Sequence, residues 1–277
     1  MIFATDYAVR ADELAAELEQ RGYESLFVPE HTHIPTSRES PWPGGGDLPR
    51  EYWHTYDPFV SLSFAAAATQ TLKLGTGICL LPQRDTLVTA KLAASLDRLS
   101  NGRFVFGIGG GWNKEEMAHH GTEYRTRFQR MEEQVRAMQG LWTEDAAGFD
   151  GKYVQFTESL SYPKPVQAPY PPILLGGESD HTLRRVVSFC DGWLPRARGG
   201  FDAAESMQRL QRMADEHGRS MQTLNVSVFG ARPDADTLLS YREAGIDRAI
   251  LPLPPAPRDE VWKLLDRYQP LLDQSGA

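Results

Sequence analysis

The sequence predicts an α/β protein folded as one (β/α)8 TIM barrel spanning residues 1–277. Two observations carry that prediction. Short apolar segments rich in β-branched and aromatic residues alternate with amphipathic helical stretches along the chain, which implies a parallel sheet with helices packed outside it. Eight such strand–helix units fit into the 277 residues, near the ~250 typical of a closed barrel. An open doubly wound sheet is the alternative. Its dinucleotide-binding glycines should follow the first strand, whereas here the densest glycines follow the fourth.

Taken in order, Ile2–Ala8 reads as the first strand and Asp12–Arg21 as the first helix, with Leu14 and Leu18 on one face and Gly22 as its stop. Ser25–Pro29 is the second strand. Residues 30–56 then form a long loop rich in Pro and Gly, a length that in a compact chain is either functional or disordered. Its aromatics Trp42, Tyr52, Trp53 and Tyr56 argue for order, and so for a lid. Asp57-Pro58 supplies an N-cap and a first-turn proline for a helix running to Ala68. Leu72–Leu81 is a strand, Asp85–Leu99 a helix and Arg103–Ile108 a strand. Arg127–Trp142 is a helix with Met131, Val135, Met138 and Trp142 on one face. An insertion before the fifth strand, Asp145–Pro172, holds a hairpin candidate, Phe149–Phe156, turning at Asp150-Gly151. The strands Ile173–Leu175, Gly192–Leu194, Leu224–Phe229 and Arg248–Leu251 then alternate with the helices Asp180–Phe189, Ala203–His217, Asp234–Ala244 and Asp259–Leu272.

Composition narrows the function. The formal net charge is −8 and no Lys/Arg block occurs, which argues against nucleic acid and anionic membranes as partners. No apolar run approaches the ~18–20 residues of a membrane span, and the N-terminus is too short and too soon acidic for a signal peptide. The two cysteines, Cys79 and Cys190, are far apart, form no metal or disulfide pattern and suit a reducing cytoplasm, the expected location.

In a barrel the chemistry sits on the loops after the strands' C-terminal ends. Those loops hold Asp6, Glu30 and His31, Gly77–Pro82, Gly109–Asn113, Gly176–Glu178, Arg196–Arg198 and Gly230. The stretch Arg103–Asn113 reads as a strand, then a turn holding Gly109, Gly110 and Gly111, then a helix, an arrangement that brings backbone N–H groups close to an anion. Gly176-Gly177 repeats it before the next helix, so a phosphate site across both loops is expected. On that reading Gly110→Val weakens cofactor binding and leaves the fold intact, because the new Cβ enters the ligand's space. Arg196 and Arg198 are candidates to meet an anion, whereas Arg127 and Arg130 read as surface residues paired with Glu133 or Glu123. His31 and His33 lack an evident third ligand, so no metal is expected. His119-His120 reads as a solvated helix end and Cys79 as a small core residue.

The motifs Gly22-Tyr-Glu-Ser-Leu-Phe-Val-Pro-Glu-His31, Leu74-Gly-Thr-Gly-Ile78, Leu96–Asn113, Pro171-Pro-Ile-Leu-Leu-Gly-Gly177 and Asp191-Gly-Trp-Leu-Pro195 together resemble the bacterial luciferase-like monooxygenase superfamily, in its branch of deazaflavin (coenzyme F420)-dependent oxidoreductases. The resemblance spans nearly the whole chain. It implies a barrel mouth holding a flavin-like tricycle, with a cis peptide at Gly77–Ile78 in a bulge that presses on the ring. It implies that Glu30 and His31 lie beside the ring as the catalytic residues. It further implies that Thr76, Gly77, Ile78, Gly109, Gly110, Gly111, Trp112, Gly176, Gly177 and Arg196 hold the cofactor. Where some deazaflavin enzymes carry Asp and, a few residues on, Trp, this chain has Glu30 and Ile34 or Pro35. The expected activity is hydride transfer between coenzyme F420 and a small organic substrate. The alternatives are an FMN-dependent monooxygenase and a non-catalytic flavin- or deazaflavin-binding protein. A homodimer is left open.

Overall fold

The structure is a computed structural model that describes residues 1–198 and 200–275. Seven parallel strands form the main sheet in the order β1 (Ser25–Val28), β2 (Lys73–Thr76), β3 (Phe104–Ile108), β6 (Ile173–Gly176), β7 (Gly192–Leu194), β8 (Asn225–Phe229) and β9 (Arg248–Ile250). Helices intervene: α1 (Ala11–Gln20), α3 (Pro58–Ala67), α4 (Thr86–Leu99), α6 (Arg127–Thr143), α7 (Asp180–Phe189), α8 (Ala203–Glu216), α9 (Ala235–Glu243) and α10 (Arg258–Ser275). The strands are short, apolar and buried, as strands covered on both faces must be.

The expected first strand, Ile2–Ala8, is not a regular strand. Its start does fill the eighth position of the barrel. The Ile2 N–H donates to Phe27 O (3.2 Å) on one side, and the Leu253 N–H donates to Met1 O (2.8 Å) on the other. The chain then turns away: the Tyr56 N–H donates to Ala4 O (2.7 Å), and Thr5 bridges Thr55 in antiparallel sense. The long loop thus competes for the backbone groups that a full strand would use.

Two other elements differ from expectation. The strand expected over Leu72–Leu81 stops at Thr76, and a 3₁₀ turn covers Leu81–Gln83. The long loop contains a one-turn helix, α2 (Glu51–His54). The insertion is the expected hairpin, with β4 (Ala146–Asp150) antiparallel to β5 (Gln155–Leu160). The Glu133 carboxylate of α6 accepts the N–H groups of Lys152, Tyr153 and Val154 at its turn. Among the described residues no helix is long and apolar enough to cross a membrane.

Candidate active site

The barrel mouth is organised around the chain that leaves β2. The Gly77–Ile78 peptide is cis, as the family resemblance implied. The bulge is held to β3: the Cys79 N–H donates to Gly107 O (2.8 Å) and the Gly109 N–H donates to Cys79 O (3.0 Å). Ile78 projects over the neighbouring loops. A Cβ on Gly109 would lie 2.0 Å from Ile78 Cδ1, and one on Gly176 would lie 3.2 Å from Ile78 Cγ2. These two glycines therefore make room for Ile78, and the Gly109 N–H is already spent. The Thr76 side chain is sealed inside the barrel, its hydroxyl donating to Gly107 O (2.7 Å), so it joins β2 to β3.

Glu30 is buried directly behind this bulge. The Leu80 N–H donates to Glu30 Oε2 (2.7 Å) and the Arg84 guanidinium to Oε1 (2.6 Å). Arg84 in turn bridges Asp57, the N-cap of α3, and lies over the Phe59 ring. Both carboxylate oxygens of Glu30 thus fix the turn after the bulge. Burial, with Glu30 alongside, pushes the Cys79 thiol well above its ordinary range, so Cys79 is an inert core residue.

His31 faces a different partner. Its Nδ1 lies 2.8 Å from Glu116 Oε2, and the Thr32 N–H donates to Glu116 Oε1 (3.2 Å). Glu116 is wholly buried on α5 (Lys114–His119), which Asn113 caps by accepting the Glu116 N–H (3.0 Å). With Nδ1–H donating to Glu116, the ring orientation is fixed and Nε2 has no partner among the described residues. The imidazole packs against the rings of Tyr52 (5.2 Å between centroids) and Trp112 (5.9 Å). Tyr52 also meets Trp42 and Phe3, so the aromatic loop folds over the mouth. Ser40 adds a second tie, its hydroxyl donating to Glu115 (3.0 Å). His33 and His119 meet at 2.8 Å, and the Thr32 hydroxyl links His33 to His120.

The two glycine loops expected to meet an anion form one wall of the mouth. Among the described residues the N–H groups of Gly110, Gly111 and Gly177 meet no acceptor. Gly111 and Gly177 have φ of 70° and 125°, where a side chain is disfavoured. A Cβ on Gly110, however, would lie 2.7 Å from the Phe128 ring, so Gly110→Val must displace that ring as well as fill space in the loop. Arg196 is paired: Glu178 accepts from its Nε (2.8 Å), Nη2 (2.8 Å) and main-chain N–H (3.1 Å). Burial disfavours the Glu178 charge, but these bonds outweigh it and hold the carboxyl below its ordinary value. The pair lines a cleft of about 180 Å³ with Trp193, Arg198 and Arg209.

Sequence reasoning read Glu116 only as a helix former and passed over Arg84. The spacing Asn113-x-x-Glu116 does mark a helix start. Nothing local shows that its acid turns inward to meet a loop 85 residues away.

This constellation can be set beside known proteins. Residues 5–246 match the family described as luciferase-like monooxygenase. The chain belongs to that family. An uncharacterized protein of Mycobacterium tuberculosis is 34% identical over 271 residues, covering 96% of this chain and 95% of the relative. Among solved structures, a monooxygenase from Streptomyces bottropensis superposes with a TM-score of 0.76 at 17% identity, covering 100% of this chain and 99% of that one. A coenzyme F420-dependent secondary alcohol dehydrogenase, solved with an F420–acetone adduct, superposes with a TM-score of 0.75 at 17% identity, covering 99% and 98%. At such identity these two structures share the fold with this chain. Family members are oxidoreductases and monooxygenases built on this barrel, with F420- and FMN-dependent enzymes among them.

Proposed function

We propose that this protein is an oxidoreductase that transfers a hydride between coenzyme F420 and a small organic substrate at the mouth of the barrel. The observation that carries the reading is the buried His31–Glu116 pair, which leaves one imidazole nitrogen, unpartnered among the described residues, on the loop after β1 under an aromatic lid. When bound, the deazaflavin ring supplies a carbon that gives or takes hydride and does not activate oxygen. The chain's own residues do the rest. Ile78 offers an apolar surface at the floor of the mouth. The free N–H groups of Gly110, Gly111 and Gly177 suit the cofactor's phosphate. Glu116 holds His31 in one orientation, so that Nε2 takes or returns the proton of a substrate hydroxyl as the hydride moves. Tyr52, Trp42 and Trp112 keep water from that nitrogen. Glu30 supports His31 indirectly, by fixing the turn against which the site is built.

Equilibrium titration with F420 and with FMN, followed by anaerobic and aerobic turnover, tests this reading. F420 is expected to bind at micromolar concentration or below and FMN more weakly, with oxygen-independent turnover. Tighter FMN binding with oxygen-dependent turnover would place the protein with the monooxygenases. A tightly bound reduced cofactor that no acceptor oxidises would make it a carrier.

A further inference from the structure

Arg127 abuts the glycine loop, and among the described residues it, Arg130 and Arg185 pair with no carboxylate. Arg127 and Arg130 lie one turn apart at the start of α6, and Arg185 lies on α7. The guanidinium carbons of Arg127 and Arg185 sit 4.3 Å and 4.1 Å from the centroid of one ring, that of Phe128. Arg127 also stacks on Tyr124 at 3.6 Å. Its Nη1 donates to Tyr124 O (2.6 Å), and Arg185 Nη1 donates to His181 O (3.1 Å). The Nε groups of Arg127 and Arg130 are buried and meet no acceptor. Among the described residues none of the three forms an ion pair. The expected pairing of Arg127 and Arg130 with Glu133 or Glu123 does not occur. Glu133 is occupied by the hairpin turn, and the nearby Glu132 holds Arg136 (2.9 Å).

That arrangement is costly for the free protein. Burial pulls both Arg127 and Arg185 below the ordinary guanidinium value, and the charge of Arg127 pulls Arg185 further. Two like charges share one ring, and two buried N–H groups go unmet, in a chain of net charge −8 that has acids to spare. The cluster also has a direction. A Cβ on Gly110 would lie 3.3 Å from Arg127 Nε, so the arginine abuts the loop whose N–H groups are free.

We propose that Arg127, Arg130 and Arg185 form an anion site that receives the glutamate carboxylates of the cofactor's tail, just beyond the phosphate on the Gly110–Gly111 loop. The proposal rests on the deazaflavin reading, because FMN ends at its phosphate and has no tail to reach these residues. Guanidinium groups suit carboxylates, which accept two N–H bonds from each fork.

Fluorescence titration of the full chain tests the site, using F420 and two tail-free ligands, the deazaflavin phospholactate that lacks only the glutamates and the riboside that lacks the phosphate as well. Arg127→Gln and Arg185→Gln should each weaken F420 binding by ~10-fold or more and flatten its salt dependence. Neither should change the affinity of the phospholactate compound or of the riboside, and an equal loss for the phospholactate compound assigns the arginines to the phosphate and overturns the proposal. Unliganded, both variants should melt no more than about 4 °C below the wild type, since each loses one of two repelling charges. A larger fall marks the arginines as structural and overturns the proposal, as do wild-type F420 affinity and salt dependence in both variants. If the wild-type protein binds neither F420 nor the riboside, the deazaflavin reading fails by itself. The site is then decided by an oligo-γ-glutamate peptide in a thermal-shift titration. Stabilisation of the wild type but not of the variants sustains the site, and no stabilisation of the wild type removes it.

Discussion

Glu30 and His31 are adjacent in sequence, and their side chains serve different ends. Glu30 has a side chain only 2% exposed and is bonded through both oxygens, so truncating it strands the Leu80 N–H and leaves the half-buried Arg84 with Asp57 as its one carboxylate. Glu30→Ala should therefore cost ~3–5 kcal/mol of stability, as for other broken buried pairs, measured by urea unfolding. His31→Ala should act on chemistry as well as stability. It should lower turnover of the folded enzyme by ~10²-fold or more, because a positioned acid–base group is lost, and it should also lower the melting temperature, because Glu116 is left buried without the imidazole. Glu116→Gln, which keeps a hydrogen-bond partner for Nδ1 but removes the charge, should lower turnover less than His31→Ala. Turnover within a few-fold of wild type for His31→Ala would move the proton chemistry to another residue. That His31 stands at the C-terminal end of a barrel strand was legible from the sequence. That Glu116 orients it was not, because the partner comes from another loop.

At the scale of elements, the stretch Leu96–Arg103, which carries part of the family resemblance, proves to be a structural joint. Asp97 is fully buried at the end of α4. One of its oxygens accepts the N–H groups of Val166 (2.7 Å) and Gln167 (3.0 Å), and the other accepts from the Gln167 side chain (2.6 Å). It thereby anchors the proline-rich segment of the insertion. Arg103 donates to the carbonyls of Ala66, Thr69 and Leu72 and closes the C-terminal end of α3. Asp97→Ala should destabilise by ~2–4 kcal/mol, since it strands several buried N–H donors, with the cofactor affinity of the folded fraction unchanged. Asp97→Asn should cost less. A loss of affinity without a loss of stability would assign Asp97 to the site instead. Six of the helices carry a capping residue that the sequence shows: Asp57, Asp85, Asn113, Ser179, Asp202 and Asp234 all accept first-turn N–H groups.

At the scale of the whole molecule, the barrel is also closed by a contact between residues 224 apart in sequence. Glu24, before β1, accepts from Arg248 of β9 through Nε (2.7 Å) and Nη2 (2.6 Å), and Lys73 approaches at 2.8 Å. Burial disfavours the Glu24 charge, yet these partners outweigh it and hold the carboxyl at about 2, below its ordinary 4.5. A carboxyl depressed by folding contributes stability that is complete above its unfolded value and is lost as pH falls through the folded one. Glu24→Gln should accordingly melt below the wild type near neutral pH, and the two should converge as pH drops from about 4.5 towards about 2. A difference that persists undiminished at the acid end would mean that the pair contributes through shape and not charge.

The sequence by itself determined the barrel, the helices and their caps, the hairpin, and the loops on which the chemistry sits. Those features rest on periodicity, end signals and the order of units, all of which are local. The tertiary structure alone decided what the polar residues on those loops do. Gly109 and Gly176 are glycines because Ile78, arriving from β2, fills the space a side chain would need. Arg196 is neutralised by Glu178, whereas Arg127, read as a surface residue paired with a glutamate, joins Arg185 around one ring with no ion pair among the described residues. The expected first strand surrendered its later residues to the long loop, which offers its own N–H groups to the same carbonyls. Each of these outcomes is a competition between segments distant in the chain for one partner or one volume, and spacing along a sequence carries no record of which segment wins.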